Sequence, residues 1–328
     1  MDAIKASIEH DKSLAFLYMV NTEQPDSNFP SWLPDFGNIG SRWNSLYGQE
    51  KEVIQFYYNP ETHEWGRRCA EYEEMISVAK FEMSLESRRL HLYGRILGEV
   101  EGTPIKMPPG YSDRELLAPS WQAALDYIRT LRSILSLEPR LQGYHTGETS
   151  HEVLRKTLLC LGYVGDYTHF PEWSNRIQNR ESKANPSFDT FRDLQTIEGA
   201  NYSWGSELVW AFEELFSLPE GREIIESADF KVLVAILVDG QMEDHHLCTV
   251  RSLEDNAVFF CSGGYFGMGS PLVQEGDKLI LVAGLQFPIV IRKVEDCWRF
   301  VGPAYVHGVT VKEFWPKDGE EMEMVTLV

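Results

Sequence analysis

Residues 256–308 have the sequence NAVFFCSGGYFGMGSPLVQEGDKLILVAGLQFPIVIRKVEDCWRFVGPAYVHG. Short apolar and β-branched runs alternate here with turn-forming pairs, and the runs are 257–261, 278–283, 287–293, 298–301 and 304–306. Short strands at such regular spacing are typical of a small barrel or curled sheet. We therefore predict a C-terminal β-module over residues 256–328, resembling a barrel and ending in an acidic tail.

The preceding region, residues 111–255, has helical periodicity. One apolar face is formed by Trp121, Leu125, Ile128, Leu131, Ile134 and Leu135, and it ends near Pro139. Similar spacing recurs at 153–161 and 208–216, whereas the apolar run 230–238 fits a strand or a helix. This pattern predicts a helical region.

Residues 1–110 combine a predicted helix over 3–20, a Pro- and Asn-rich loop and the β-prone runs 53–58, 76–83 and 90–98. These runs predict a small antiparallel sheet. The fold class that follows is α+β: a helical layer with a small antiparallel sheet and a C-terminal β-barrel-like module, with the three regions packed as one unit.

Composition narrows the function classes. The 328 residues include 50 Asp and Glu against 30 Lys and Arg, a formal charge of −20, which repels phosphate backbones and predicts no nucleic-acid partner. The five cysteines form no Cys-x-x-Cys pair, which favours reduced thiols. No apolar run is long enough to span a membrane, so we predict a cytoplasmic protein without a membrane partner.

Two stretches resemble a known family. The run Ser31-Trp32-Leu33-Pro34-Asp35 resembles a Pro-Ser-Trp-x-Pro-Asp-Trp segment of fungal heterokaryon incompatibility (HET) proteins, although Phe36 replaces the last Trp. Gly276-Asp277, the run 288–292 and the run 301–308 resemble the closing β-module of that family. In HET proteins the named domain precedes the Ser-Trp segment, where only thirty residues stand here. We therefore expect the HET domain to be absent.

Candidate catalytic residues are Tyr305, His307 and Asp35. Tyr305 and His307 are two apart in a strand-like segment, so they share one face and could form an acid/base pair facing a barrel interior. A histidine that orders the closing strand is the structural alternative. Asp35 would have a raised pKa if it were buried without a partner, and capping a turn is its alternative role.

Aromatic residues suggest an apolar ligand. The predicted substrate-binding residues are Trp32, Phe36, Trp43, Tyr265 and Phe266, because aromatic walls with few polar groups suit a polycyclic molecule. The same side chains could fill the core between helices and sheet, and the sequence leaves both roles open.

Motifs for cofactors and metals are not found in the sequence. The run GGYFGMG at 263–269 imitates a phosphate loop, but Pro271 and a strand-like stretch follow instead of a helix, so a turn is predicted. The adjacent residues 243–246 (EDHH) point apart and cannot close on one metal ion. We predict no cofactor and no metal.

The sequence therefore suggests two functions. The first is a cofactor-independent cyclase, isomerase or lyase of fungal specialised metabolism, acting on an apolar or aromatic small molecule. The alternative is a truncated HET-like regulatory or interaction protein without catalytic activity. A homo-oligomer or a HET-like protein is the protein partner that these functions allow.

Overall fold

The computed structural model of this chain describes residues 14, 16–17, 20, 30–33, 57–59, 64–66, 81–84, 88–106, 121–158, 170–179, 221–232, 253, 256–283, 285, 287–309 and 322–328. The chain divides into two compact units. The first comprises Met1–Pro104, Gly143–Gly162 and Asp255–Val328, and the second comprises Ile105–Gln142 and Tyr163–Glu254. The three sequential regions expected from the sequence stay a prediction.

The strands of the described residues are β1 (Tyr57–Asn59), β2 (Glu64–Gly66), β3 (Phe81–Ser84), β4 (Arg89–Lys106), β5 (Ala257–Cys261), β6 (Tyr265–Gly269), β7 (Lys278–Val282), β8 (Ile289–Val294), β9 (Cys297–Val306) and β10 (Glu323–Leu327). Strands β1 and β2 form a separate antiparallel hairpin. The other eight strands form one sheet, in the order β10-β4-β5-β6-β9-β8-β7 with β3 against β4.

Strand β4 closes this sheet into a ring. It pairs antiparallel with both β7 and β10, and the path from β5 through β6, β9 and β8 returns to it at β7. A β-bulge between Ile96 and Gly98 shifts the β4–β7 register at this closure. The predicted mixture of helices and antiparallel sheet is confirmed, whereas the helical layer remains a prediction.

Three details differ from the sequence-based expectation. The predicted turn over 263–269 is a turn at 262–264 followed by strand β6, and the two runs 298–301 and 304–306 form the single strand β9. The acidic tail includes the paired strand β10. Strand β6 was not predicted because its glycines are typical of turns. Gly267 is nevertheless required there, because a Cβ would lie 2.7 Å from Val306 Cγ2 and 2.8 Å from the Tyr305 carbonyl oxygen.

The described helices are α1 (Trp121–Leu135), α2 (Ser150–Leu158), α3 (Phe170–Asn179) and α4 (Gly221–Glu226), with a short 3₁₀ helix at Glu138–Leu141. Helix α1 confirms the predicted amphipathic face, since five of its predicted members are buried: Leu125, Ile128, Leu131, Ile134 and Leu135. In the second unit Arg132 joins α1 to α3 by donating its Nε proton to the Ile177 carbonyl oxygen at 2.7 Å. None of the described helices is both long enough and apolar enough to cross a membrane.

Two apolar clusters fill the first unit on opposite faces of β7 and β8. One contains Leu92, Ile280 and Leu327 together with the N-terminal Trp32. The other contains Phe259, Leu279 and Val306. Alternate residues of β7 enter different clusters, as the period-2 geometry of a strand requires. The sheet therefore buries both faces of its central strands.

A buried ion pair fixes the turn that leads into β7. Asp277 is 2% exposed, and Arg292 Nε and Nη2 lie 2.8 and 2.9 Å from its two carboxylate oxygens. The same guanidinium donates to the Leu272 carbonyl oxygen at 2.7 Å, and the Gln274 amide donates to Asp277 at 2.9 Å. The carboxylate is thus held by three donors, which satisfies a charge that is removed from water.

We expect Arg292→Leu to lower the free energy of unfolding by about 3–5 kcal/mol, because Asp277 would then remain buried without its counter-charge. Urea unfolding followed by tryptophan fluorescence measures the change. Arg299→Leu is the matched control, since Arg299 lies opposite Arg292 in the β8–β9 register and is exposed. The control is expected to change stability by less than about 0.5 kcal/mol. Equal losses in both variants would contradict the role assigned to the pair.

Candidate functional site

A polar cluster lies at the C-terminal end of β9 in the first unit. We call it the β9 cluster, and its members are Tyr144, Glu148, Lys156, Tyr305 and His307. Tyr305 lies on β9, and His307 lies two residues later in the turn after it. The other three residues come from the loop and helix α2 within residues 143–158. Helix α2 packs against β6, which pairs with β9, and so brings the two segments together.

The predicted pair Tyr305 and His307 is adjacent in space. The hydroxyl of Tyr305 lies 3.2 Å from His307 Nδ1, and the two residues are 4% and 7% exposed. Their neighbours Ala304 and Val306 enter the apolar cluster that contains Phe259. The pair therefore lies on the face of β9 opposite that cluster, and its orientation towards a barrel interior stays a prediction.

Glu148 completes the hydrogen bonding of His307. Its carboxylate contacts His307 Nε2 and the Lys156 ammonium, and Thr146 Oγ1 donates to it at 2.9 Å. Burial opposes ionisation of this carboxyl, but the hydrogen bonds from Lys156, His307 and Thr146 outweigh it and lower its pKa to about 2. Glu148 is consequently an anion at neutral pH, and its side chain is 25% exposed, compared with 9% for the side chain of His307.

Tyr144 bridges β6 and the turn after β9. Its hydroxyl donates to the His307 carbonyl oxygen at 2.9 Å and accepts from the Phe266 amide at 3.3 Å. The Phe266 amide and the His307 carbonyl lie just beyond the last pair of the β6–β9 ladder, in which Gly267 is opposite Val306. Burial raises the pKa of Tyr144, so the phenol stays protonated. One phenol therefore extends the hydrogen bonding of the sheet past its last strand pair.

The loop beside the cluster presses closely on the turn after β9. A Cβ at Gly308 would lie 2.7 Å from His145 Cε1, and Gly308 has a φ of +78°, so both space and backbone conformation require glycine there. The His145 ring meets Tyr265 edge-on at 5.4 Å. Burial, and then the neighbouring His307, lower the pKa of His145. His145 and Tyr265 form the rim of the cluster.

The other predicted site residues have different positions. Trp32 is fully buried in an apolar cluster and donates its indole N–H to the Arg88 carbonyl oxygen at 3.2 Å. Phe266 is fully buried and packs against Phe260 with ring centroids 4.8 Å apart. Asp35, Phe36 and Trp43 lie outside the described residues. Substrate binding by these residues remains a prediction.

Sequence reasoning missed Tyr144, Glu148 and Lys156. They lie in and after a loop with two glycines of positive φ, Gly143 and Gly147, and nothing local links them to a strand far along the chain. Polar and aromatic residues in a glycine-containing loop were the available signal. That signal indicates a functional loop, but it does not indicate that the loop contacts the end of β9.

Chemistry outside the β9 cluster is limited in the part of the chain that the structure describes. No three His, Cys, Asp or Glu side chains come together there in a way that could hold a metal ion. The residues 243–246 lie outside it. Burial, with a smaller contribution from Glu101, raises the pKa of the Cys261 thiol to about 12, so this cysteine is a poor nucleophile.

We expect Tyr144→Phe to lower the free energy of unfolding by about 1–3 kcal/mol, because the Phe266 amide loses its buried acceptor and the His307 carbonyl its donor. Thermal and urea unfolding of the purified chain measure the loss. Tyr93→Phe on β4 is the matched control, since that hydroxyl belongs to no part of the β9 cluster. A control that loses as much stability as Tyr144→Phe would refute the bridging role.

Acid should weaken the cluster. The folded pKa of Glu148 is below its usual value of 4.5, so its stabilisation is fully present above that pH and is lost as pH falls towards about 2. Stability profiles between pH 5 and 2 should therefore fall more steeply for the natural chain than for Glu148→Gln. The difference is on the order of 2 kcal/mol, the value of a charge-assisted hydrogen bond. Parallel profiles would show that the carboxylate contributes nothing.

Comparison with known proteins gives a family for the β-rich part of the chain. Residues 226–322 match the Het-6 beta-barrel domain, which includes strands β5 to β9. Heterokaryon incompatibility protein 6, OR allele, of Neurospora crassa is 29% identical over 76 residues. That alignment covers 22% of this chain and 11% of the relative, so the chain matches about a tenth of the relative's length. No solved structure matches this chain.

The matched region contains the landmarks that carried the resemblance in the sequence. Gly276-Asp277 and Arg292 contribute the buried ion pair, and Tyr305, His307 and Gly308 form the turn held by the β9 cluster. These motifs therefore have structural partners as well as a family likeness. Residues 226–322 of this chain therefore match the Het-6 beta-barrel domain, and over a short alignment the chain is similar to a heterokaryon incompatibility protein of Neurospora crassa.

Proposed function

We propose that this chain is a cofactor-independent small-molecule enzyme of cyclase, isomerase or lyase type, with the β9 cluster as its proton-transfer site. One observation carries the proposal: His307 bridges the carboxylate of Glu148 and the hydroxyl of Tyr305. A phenol, an imidazole and a carboxylate in one hydrogen-bonded chain can move a proton without any cofactor.

Burial decreases along this row of hydrogen-bonded side chains, from Tyr305 to Glu148, and this supports such a role. Tyr305 and His307 are almost fully buried, whereas Glu148 and its partner Lys156 have 25% and 32% of their side chains exposed. A proton can therefore pass between solvent and a phenol in an apolar setting. The buried Phe260 and Phe266 on the neighbouring strands make that setting suited to an apolar or aromatic substrate, in the cytoplasm of a fungus.

The comparison with heterokaryon incompatibility protein 6 favours a second candidate. In that function the chain is a regulatory or interaction protein that binds HET-like partners, and the β9 cluster only fastens residues 143–158 to the sheet. Both candidates use the same geometry, so an experiment on the chain in its host has to separate them.

The test replaces the gene in its host with a deletion, with Tyr305→Phe, with His307→Gln and with the control Tyr93→Phe. Extracted metabolites are compared by mass spectrometry, and any accumulated precursor is given to the purified protein without cofactor. The enzyme proposal expects a product lost in the deletion and reduced about 10²–10⁴-fold in rate by the two site variants. The control should behave as the natural chain, and circular dichroism shows that each variant folds.

The second candidate makes the opposite prediction. Metabolites would be unchanged in every strain, while fusion between strains or the death of fused cells would change on deletion. Site variants that fold would then keep the behaviour of the natural chain in both assays. That result would replace the enzyme proposal with the interaction protein.

A further inference from the structure

Residues 30–33 form a tight turn whose partners lie far along the chain. The Leu33 amide donates to the Pro30 carbonyl oxygen at 3.1 Å, which closes the turn. Ser31 and Trp32, between those two residues, bond to backbone groups at positions 88, 300 and 328. We call residues 30–33 the Ser-Trp turn, and all of these partners belong to the first unit. The turn adds no strand to the sheet, and it is held by groups that the sheet presents.

The hydroxyl of Ser31 is inserted into the pairing of β9 with β10. Leu327 lies opposite Trp298 in this parallel pair, and the Val328 amide donates to the Trp298 carbonyl oxygen at 2.9 Å. The next bond of a parallel ladder would run from the Phe300 amide to the Val328 carbonyl oxygen. The Ser31 hydroxyl stands between these two groups, since it accepts from the Phe300 amide at 3.0 Å and donates to the Val328 carbonyl oxygen. The ladder therefore has a place that a hydroxyl group fills.

Trp32 supplies the apolar part of the contact. Its side chain is fully buried in the cluster that contains Leu92 and Leu327. Its indole N–H donates to the Arg88 carbonyl oxygen at 3.2 Å, so the one polar group of the side chain is satisfied. A buried aromatic side chain of this kind is typical of the anchor residues of protein interfaces. Pro30 fixes its own φ and so lowers the entropy cost of ordering the turn.

The connection that follows the Ser-Trp turn is long. Residues 34–80 lie between it and β3, the first strand of the eight-stranded sheet. The entropy cost of closing a loop rises with its length, and the effective concentration of a tethered group is about millimolar for a short flexible linker and lower for a longer one. The turn of a second chain, at a concentration of that order, therefore competes with the turn of the same chain.

We propose that the groups around the Ser-Trp turn form a self-recognition site, in which two copies of the chain exchange their turns and make a symmetric dimer. The site comprises the Phe300 amide, the carbonyl oxygens of Arg88 and Val328, and the apolar cluster around Trp32. Exchange of an identical segment is a low-cost route to a dimer, because each contact of the monomer is made again between the chains. The β9 cluster takes no part, so this proposal goes beyond the proposed function and each can fail without the other.

The first test opens the site in the full-length chain. The double variant Ser31→Ala/Trp32→Ala weakens the contacts of the chain's own turn, and the binding of a fluorescent peptide of residues 28–36 is followed by anisotropy. We expect the double variant to bind this peptide at least about 10-fold more tightly than the natural chain, whose own turn fills the site. A peptide with the same two substitutions should bind the double variant at least about 10-fold more weakly than the natural peptide does.

The control chain for this test is Ser133→Ala. The Ser133 hydroxyl is exposed and donates to the Arg129 carbonyl oxygen within α1, so the control should bind the peptide as weakly as the natural chain does. Equal binding by the double variant and the natural chain overturns the proposal. A substituted peptide that binds as well as the natural peptide overturns it too. If circular dichroism shows that the double variant does not fold, the natural chain alone decides the question.

The natural chain provides the second test, because its dimer needs no substitution. Sedimentation equilibrium between about 10 µM and about 1 mM should show a dimer whose fraction rises with concentration. A molar excess of the peptide of residues 28–36 should lower that fraction by filling the sites, whereas the doubly substituted peptide should leave it unchanged. A chain that stays monomeric over the whole range overturns the proposal, and so does a dimer that the natural peptide fails to reduce.

Discussion

The carboxylate of Asp277 is almost completely removed from water, and the neighbouring strands and turn supply the groups that bond to it. A lone buried anion would cost several kcal/mol, so a guanidinium has to reach it from β8 and the turn before β7 has to present the Gln274 amide. The backbone carbonyl of the same residue accepts from Val100 on β4. One residue thus joins β4 and β8 to the turn that leads into β7, and the ring closes where β4 pairs with β7.

The β9 cluster likewise joins several elements, at the C-terminal end of β9. Its hydrogen bonds connect a loop, a helix and a strand that are far apart in the sequence, and its central histidine bridges a solvent-exposed anion and a buried phenol. These contacts connect distant parts of the chain, and in the proposed enzyme the same contacts would transfer protons. This dual capacity is why stability measurements and turnover measurements have to be made on the same variants.

Parts of this structure are readable from the sequence because they are encoded locally. The periodicity of Leu125, Ile128 and Leu131 predicts α1, and the alternation along 257–261 and 278–283 predicts β5 and β7 within a residue. Strand β6 is hidden because Gly267 and Gly269 lack the side chains by which a strand is recognised. The closure of the ring through β4 depends on pairing between distant segments, and no local pattern of residues 89–106 states which strands they will meet. Glu148 escaped for the same reason, whereas Tyr305 and His307 were found because strand geometry alone places them on one face.

The central position of β4 has a consequence for how the protein is made. A ribosome releases residues 89–106 after β3 but long before β5, β7 and β10 exist, and until then the backbone groups of β4 that do not face β3 lack their native partners. Its apolar residues Leu90, Leu92 and Val100, buried in the folded chain, are exposed over the same interval. The interval between the synthesis of β4 and that of β5 is therefore a period in which the unpaired edges of β4 could pair with strands of other chains.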